Sequence, residues 1–179
     1  MPSNARDSAY YDAPAPIGGG QTISAPHMVA IMTELLEVGH GSRILEVGLG
    51  SGYQAAILAE LADEGLVVSV ERVPELADRA SRLLSGLGYD NVRVVVGDGT
   101  LGEPNHAPYD RIIVTAASPK VPEALKDQLK KGGMLLIPVG GRWSQTLVEI
   151  DKTEDGRLET IDHGGVVFVP LIGKDGWED

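Results

Sequence analysis

Short hydrophobic runs alternate along the chain with longer segments in which apolar residues recur every three or four positions. Such runs are typical of strands buried on both faces, and the longer spacing predicts amphipathic helices. Seven strands are predicted, at Arg43–Val47, Val67–Val70, Val92–Val96, Arg111–Thr115, Met134–Val139, Thr146–Ile150 and Val166–Leu171. Helices are predicted from Ser24 to about Gly39, from about Tyr53 onward, from Pro74 to Leu87 and from Pro122 to Leu129.

This alternation indicates an α/β fold with one doubly wound, Rossmann-like domain. Its seven-stranded sheet should be mostly parallel, with an antiparallel edge, because no good helix separates the last two strands. Residues 1–20 hold few core-forming side chains and several prolines and glycines, so we expect a flexible lead-in there. The length of 179 residues fits a single domain spanning residues 1–179.

The amino-acid composition makes several classes of function less favourable for this protein. The net charge of −11 disfavours broad nucleic-acid binding, because the chain repels phosphate backbones. The chain has no cysteine and four scattered histidines, which leaves no pattern for a metal site or a thiol nucleophile. No apolar run approaches the roughly 18 residues of a membrane span, and the first residues do not resemble a secretory signal. We therefore expect a cytoplasmic monomer with neither a membrane nor a nucleic-acid partner.

A glycine loop directly follows the first predicted strand of the alternating region. Gly48, Gly50 and Gly52 give the spacing G-x-G-x-G, at a point where a helix begins. Glycines there let a ligand approach the backbone and the helix N-terminus. A dinucleotide fingerprint needs glycine at position 53, which is Tyr53. The loop therefore favours a nucleoside without a pyrophosphate.

Two carboxylates follow the next two strands. Glu71 ends the second strand and can accept hydrogen bonds from both hydroxyls of a ribose. Asp98, in Gly97-Asp98-Gly99 after the third strand, can accept a hydrogen bond from an exocyclic amine such as that of adenine. A glycine loop, a ribose acceptor and a base acceptor at three successive strand ends favour S-adenosylmethionine (AdoMet), with S-adenosylhomocysteine as the product.

Several segments carry a family resemblance that covers nearly all of residues 10–173. They are Ile17–Met28, Val95–Gly99, Ala107–Ala117, Pro122–Leu125 with Gln128–Leu129 and Gly132–Gly133, Leu136–Gly140 and Phe168–Leu171. Together they resemble the signature of protein-L-isoaspartate (D-aspartate) O-methyltransferases. The segment from Gln21 to Met28 is the most specific part, since the glycine loop and Glu71 are common to many methyltransferases.

The resemblance implies methyl transfer from AdoMet to the free α-carboxylate of an isoaspartyl residue in a damaged protein or peptide. The methyl ester then closes to a succinimide, which starts repair. In the family the Thr-Ile-Ser segment lies over the cofactor, and its serine, here Ser24, is the active-site residue. The implied cofactor contacts are Gln21, Thr22, Ile23, Ser24, Leu49, Glu71, Asp98 and Gly99, with Val29 and Ile172 as two further positions. The glycines of the loop, Gly48, Gly50 and Gly52, complete the predicted binding set.

Other interpretations stay open at this point. Ser24 precedes Ala-Pro and is also a good helix N-cap. Relatives carry an additional N-terminal helical segment before the part that resembles Asn4–Pro16, and this difference leaves the choice of peptide open. The acceptance of D-aspartyl residues is also left open. The alternatives are a methyltransferase acting on another peptide or small carboxylate, and a non-catalytic AdoMet-binding regulator.

Overall fold

The computed structural model describes residues 10–178 and contains a seven-stranded sheet and a small hairpin. The sheet order is β5-β4-β3-β6-β7-β8-β9, and the hairpin pairs β1 with β2. The strands are β1 (Ala15–Gly18), β2 (Gln21–Ile23), β3 (Arg43–Val47), β4 (Leu66–Glu71), β5 (Val92–Val96), β6 (Tyr109–Val114), β7 (Leu129–Gly140), β8 (Gln145–Lys152) and β9 (Leu158–Val166). The helices are α1 (Pro26–Leu35), α2 (Tyr53–Ala62), α3 (Pro74–Gly86) and α4 (Glu123–Gln128).

The sheet confirms the predicted fold class. Strands β5, β4, β3, β6 and β7 are parallel, whereas β8 and β9 add an antiparallel edge. Strands β4 and β5 lie in order on one side of β3, and the next strand along the chain, β6, lies on the other side of β3. This reversal leaves a crevice at the carboxyl ends of β3 and β6, which is where doubly wound folds bind ligands.

Each face of the sheet carries its own hydrophobic cluster. One cluster packs α1, α2 and α3 onto the sheet through buried residues such as Leu36, Leu58 and Leu84. The other joins α4 to the opposite face through Leu125, together with Leu129 at the start of β7. Strand β3 is buried on both faces from Ile44 to Val47, and Glu46 is the one residue of that stretch that is not apolar. No helix within residues 10–178 is long and apolar enough to cross a membrane.

The hairpin β1–β2 corrects the coil expected through residue 20. Gly18, Gly19 and Gly20 all have positive φ; Gly18 ends β1, and Gly19 and Gly20 form the turn that joins the two strands. Ile17 is buried on β1, and its backbone carbonyl accepts a 2.7 Å hydrogen bond from Arg79 of α3. One apolar side chain and three turn glycines are too short a pattern to predict a strand. Residues 1–9 of the expected lead-in lie outside the described residues.

The last predicted strand was also placed wrongly. The seventh strand of the sheet is β9, at Leu158–Val166, whereas Val166–Leu171 was expected. Residues of β9 are largely exposed, so no buried face marks them in the sequence. The apolar residues that follow instead bond to the loop after β6: Ala117 N donates to Val169 O, and Leu171 N donates to Ala117 O. This segment therefore becomes a wall of the crevice.

Candidate active site

A central cleft opens at the carboxyl ends of β3, β4 and β6. It consists of two joined cavities that share Thr22, Gly48, Gly50 and Thr115. The segment Val169–Ile172 forms part of the opposite wall. Of the predicted binding residues, the cleft brings together Gln21, Thr22, Ile23, Ser24, Gly48, Leu49, Gly50, Glu71 and Gly99, and also Val29 and Ile172.

The first glycine of the loop is required by a close contact across the sheet. Gly48 has φ +102°, and a β-carbon there would overlap the hydroxyl of Thr115. That hydroxyl donates a 2.8 Å hydrogen bond to the Gly48 carbonyl. Thr115 follows β6, so this bond ties the glycine loop to the neighbouring strand and fixes the floor of the cleft.

Gly52 lies outside the central cleft and packs against α3. A β-carbon at Gly52 would lie 3.3 Å from the Ala80 β-carbon and 3.3 Å from Leu84 of α3. Gly52 also lines a groove between α2 and α3, and it is not among the residues of the central cleft. Its positive φ of 82° and its lack of a side chain therefore serve the packing of α2 against α3.

Glu71 lies at the cleft as predicted, and its carboxylate is held by the backbone. Its Oε2 accepts a 2.9 Å hydrogen bond from Gly50 N, and its Oε1 accepts a 3.0 Å bond from Val73 N. Each carboxylate oxygen has two lone pairs, so both can still accept a bond from a ligand hydroxyl. The bond to Gly50 also couples the position of this carboxylate to the glycine loop.

Asp98 is placed differently from its neighbour Gly99. Gly99 lines the cleft, whereas Asp98 is not among the lining residues. Asp98 Oδ1 accepts bonds from Thr100 N at 2.9 Å and Thr100 Oγ1 at 2.6 Å, and Oδ2 accepts a 2.8 Å bond from Lys174 N. Burial acts to raise the pKa of Asp98, but these hydrogen bonds outweigh it and hold the pKa below its usual value. The carboxylate thus ties the C-terminal segment to the loop after β5.

Ser24 lies where the central cleft meets two neighbouring grooves. The N-cap interpretation of Ser24 was wrong. Helix α1 has Ala25 at its N-cap position, with no side-chain capping bond and Pro26 at its start. Proline at the first helical position removes one unsatisfied N–H, so a capping hydroxyl is less needed. The structure therefore leaves the Ser24 hydroxyl to the site rather than to the helix.

A buried acid lies next to the site. Glu46 of β3 is completely buried, and its Oε1 has no hydrogen-bond partner among the described residues. Ser69 of β4 donates a hydrogen bond to Oε2. Burial raises the pKa of Glu46 to about 8, opposed by the Ser69 bond and supported by the nearby Glu71. Glu46 is therefore mostly protonated at neutral pH, and it adds no charge beneath the cleft.

Sequence reasoning missed Thr115 and the wall formed by Val169–Leu171. Thr115 lines both cavities of the central cleft and an outer groove, which is lined by Ser24, His27, Arg142 and Phe168 among others. Its place directly after a buried strand was the available signal, since strand ends meet at the crevice. The wall was interpreted as a strand because of its apolar residues. No cluster of three or more metal-ligating side chains occurs within residues 10–178.

Comparisons with known proteins agree with one another. The family model described as "Protein-L-isoaspartate(D-aspartate) O-methyltransferase (PCMT)" matches residues 1–176. A protein-L-isoaspartate O-methyltransferase of Methanopyrus kandleri is 59% identical over 181 residues, covering 100% of this chain and 80% of the relative. The enzyme of the same name from Pyrococcus horikoshii is 53% identical over 173 residues, covering 96% of this chain and 78% of the relative.

Solved structures of the same family superpose on this chain. A protein-L-isoaspartate O-methyltransferase structure superposes with a TM-score of 0.82 at 34% identity, covering 91% of this chain and 53% of the other. This chain therefore spans about half the length of that one. A Plasmodium falciparum structure titled as a putative protein-L-isoaspartate O-methyltransferase, in complex with S-adenosyl-L-homocysteine, gives 0.81 at 31% identity, covering 91% of this chain and 81% of that chain.

Proposed function

This chain belongs to the protein-L-isoaspartate (D-aspartate) O-methyltransferase family, and we propose that it methylates the free α-carboxylate of isoaspartyl residues with AdoMet. One observation carries the proposal: a cleft with a glycine loop and a ribose-type acceptor joins a second groove at Ser24. The first part suits a nucleoside, and the second suits a peptide chain. A reaction between two bound molecules needs this junction.

The residues of the cleft fit AdoMet. The backbone at Gly48 and Gly50 is exposed to a ligand, and Gly48 cannot carry a side chain without displacing Thr115. Glu71 would hold the ribose through the lone pairs not used by Gly50 and Val73. When bound, AdoMet supplies an activated methyl group on a sulfonium.

The chain's own residues have a limited chemical task. An α-carboxylate has a pKa near 3.5 and is ionised at pH 7, so no general base is required. Ser24 and Thr22 line both the central cleft and the outer groove, so the acceptor carboxylate is to be held there. The Ser24 hydroxyl donates a hydrogen bond that orients one carboxylate oxygen. Such positioning, with water excluded, can contribute roughly 7–11 kcal/mol in favourable cases.

Methyl transfer from labelled AdoMet to two peptides tests this function. The peptides are identical except that one has an isoaspartyl linkage and the other a normal aspartyl linkage. We expect a base-labile methyl ester on the isoaspartyl peptide alone. Labelling of neither peptide, with AdoMet still bound, would contradict the repair activity and favour another acceptor or a non-catalytic regulator.

The Ser24→Ala variant tests the assigned role of the hydroxyl. If Ser24 acts mainly in the transition state, kcat falls by about 100- to 1,000-fold, the range found for a lost oxyanion donor. AdoMet affinity should fall by much less than kcat, because Ser24 is one of many residues that line the cleft. The exposed Ser81→Ala, on α3, is the control and should keep the wild-type rate. Equal rates for Ser24→Ala and the wild type would exclude this role.

The setting of the reaction is also part of the proposal. We place the protein in the cytoplasm as a single-domain monomer, with isoaspartyl proteins and peptides as its partners. The net charge of −11 supports the expectation that it does not act on nucleic acid or at an anionic membrane surface. Sedimentation equilibrium at micromolar concentration tests the monomer, and a dimer mass would contradict it.

A further inference from the structure

The outer groove contains a charged and an aromatic side chain that the methyl-transfer site does not use. Arg142 and Trp143 lie in the turn between β7 and β8 and line this groove. Neither is among the residues of the central cleft. The groove continues to Ser24 and Thr115, where it joins the cleft. A peptide that has its acceptor carboxylate at Ser24 and follows this groove extends towards Arg142.

Arg142 is held in place by the C-terminal segment. Its guanidinium carbon lies 4.9 Å from the centroid of the Trp177 ring, and its Nη2 donates a 2.9 Å hydrogen bond to Glu178 O. Trp177 is itself fixed, since its indole N–H donates to Ala117 O at 3.1 Å. Arginine has five N–H donors, so one bond to Glu178 leaves donors for a bound ligand. Stacking on the Trp177 ring orders the Arg142 side chain in the free protein, so less side-chain entropy is lost when a ligand binds to it.

The charge of the groove contrasts with that of the protein. The net charge is −11, yet the described residues that line the groove include no aspartate or glutamate. Of the lining residues within 10–178, only Arg142 is an arginine or a lysine. His27 lies at the groove too, but its Nδ1 is 3.5 Å from a carboxylate oxygen of Asp12. The groove is therefore a local site for a carboxylate on an acidic surface.

Trp143 is exposed to an unusual degree for its type. Its side chain is 88% accessible at the rim of the groove, next to the apolar residues Val167 and Phe168. Tryptophan and arginine dominate the binding energy of many protein interfaces. Tryptophan gives a large contact area with few rotatable bonds, and arginine presents a planar group with several hydrogen-bond donors. An exposed indole beside an ordered guanidinium fits a peptide that has both an apolar and an acidic side chain.

We propose that Arg142 and Trp143 select the acceptor peptide, with Arg142 binding a second carboxylate that flanks the isoaspartyl residue. This second carboxylate belongs to an aspartate or glutamate side chain, distinct from the carboxylate that is methylated. Trp143 packs on the peptide beside it. The proposal rests on the proposed function, since it assigns the outer groove to the peptide substrate of that reaction.

The test compares isoaspartyl peptides that differ by one charge. Two pairs of hexapeptides carry Glu or Gln next to the isoaspartyl residue, on its N-terminal side in one pair and on its C-terminal side in the other. We expect one Glu peptide to have a KM about tenfold below that of its Gln partner, in line with one hydrogen bond to a charged group. The kcat values of the pair should agree within about twofold, because Arg142 does not line the central cleft.

Variants assign the preference to a residue. Arg142→Gln should raise the KM of the preferred Glu peptide about tenfold and leave the Gln peptide unchanged. Trp143→Ala should raise the KM of both peptides. Arg157→Gln is the matched control, since Arg157 is an exposed arginine paired with Asp155 in the β8–β9 turn. It removes the same charge, and the discrimination should persist.

Equilibrium binding separates this proposal from the proposed function. The four peptides are titrated calorimetrically into the wild type with S-adenosylhomocysteine present. Discrimination in binding without methyl transfer would support the role of Arg142 while overturning the methyltransferase activity. Equal affinities for Glu and Gln peptides would overturn the role of Arg142, whether or not methyl transfer occurs. A preference that survives in Arg142→Gln would overturn it as well.

Discussion

The Asp98→Asn variant distinguishes two roles for one carboxylate. The sequence predicts that Asp98 accepts a hydrogen bond from the adenine amine, whereas in the structure it holds the C-terminal segment. Its three accepted bonds come from Thr100 N, Thr100 Oγ1 and Lys174 N. Asparagine keeps the shape but turns one accepting oxygen into a donating nitrogen. The side chain will rotate so that the oxygen keeps the two Thr100 bonds, and the Lys174 bond is lost.

The expected loss of stability in Asp98→Asn follows from the single lost bond from Lys174 N. A hydrogen bond to a charged group contributes about 1.5–3 kcal/mol, and the partial exposure of Asp98 favours the lower end. Since 1 kcal/mol shifts Tm by about 2–4 °C in a domain of 150–250 residues, we expect a Tm lower by about 3–6 °C. Backbone amides of residues 172–177 should also exchange faster with solvent, because the segment is released.

The pH dependence gives an independent check. The pKa of Asp98 is lowered in the folded state, so its stabilisation is present above the unfolded pKa and is lost as the pH falls through the folded pKa. The Tm difference between the wild type and Asp98→Asn should therefore shrink below about pH 4. The exposed Asp127→Asn on α4 is the control for net charge. An unchanged Tm with weaker AdoMet binding would refute the structural role and favour the adenine contact.

Three further outcomes are expected. Glu71→Gln should weaken AdoMet binding by about tenfold or more in calorimetry, since a charged acceptor is lost; unchanged affinity would exclude the ribose role. Gly48→Ala should lower the free energy of unfolding by about 1–3 kcal/mol and reduce AdoMet affinity, because of its positive φ and the overlap with Thr115. Gly86→Ala is the control, because no atom lies within 4 Å of the added β-carbon. An equal loss of stability in Gly86→Ala would contradict the role given to the Thr115 contact. The Glu46→Gln variant should become more stable relative to the wild type as the pH rises from about 4.5 to 8. Over that range the folded wild type keeps a proton that the unfolded chain releases, so the wild type loses stability. If denaturant unfolding gives a difference in unfolding free energy that does not change with pH, the raised pKa is refuted.

Local patterns in the sequence were enough to predict the central sheet. The strands β3 and β4 are largely buried and β5 is partly buried, and the apolar runs of all three can be recognised without knowing what covers them. The glycine loop and Glu71 were equally predictable, because parallel strands bring their carboxyl ends to one edge. The family resemblance added Ser24 and the segment before it, which no periodicity would have indicated.

Elements without a local signal were decided by tertiary contacts. Strand β9 is exposed and mostly polar, so only its pairing with β8 makes it a strand. The hairpin β1–β2 is fixed by burial of Ile17 and by the bond from Arg79. Arg79 is distant from the hairpin in sequence, whereas β8 precedes β9 directly; in both cases the stabilising bonds come from residues outside the element, so its own pattern does not reveal them.

The site shows the same division between the sequence and the fold. The sequence determined which residue types are present at the strand ends, and so the class of ligand. Only the fold decided that Thr115 contacts Gly48, that Asp98 bonds to Lys174 and that Arg142 stacks on Trp177. These pairs are 67, 76 and 35 positions apart in the numbering, and each depends on a side-chain direction set by packing. The sequence thus predicts the chemistry available to the site, and the tertiary structure decides which groups remain for a substrate.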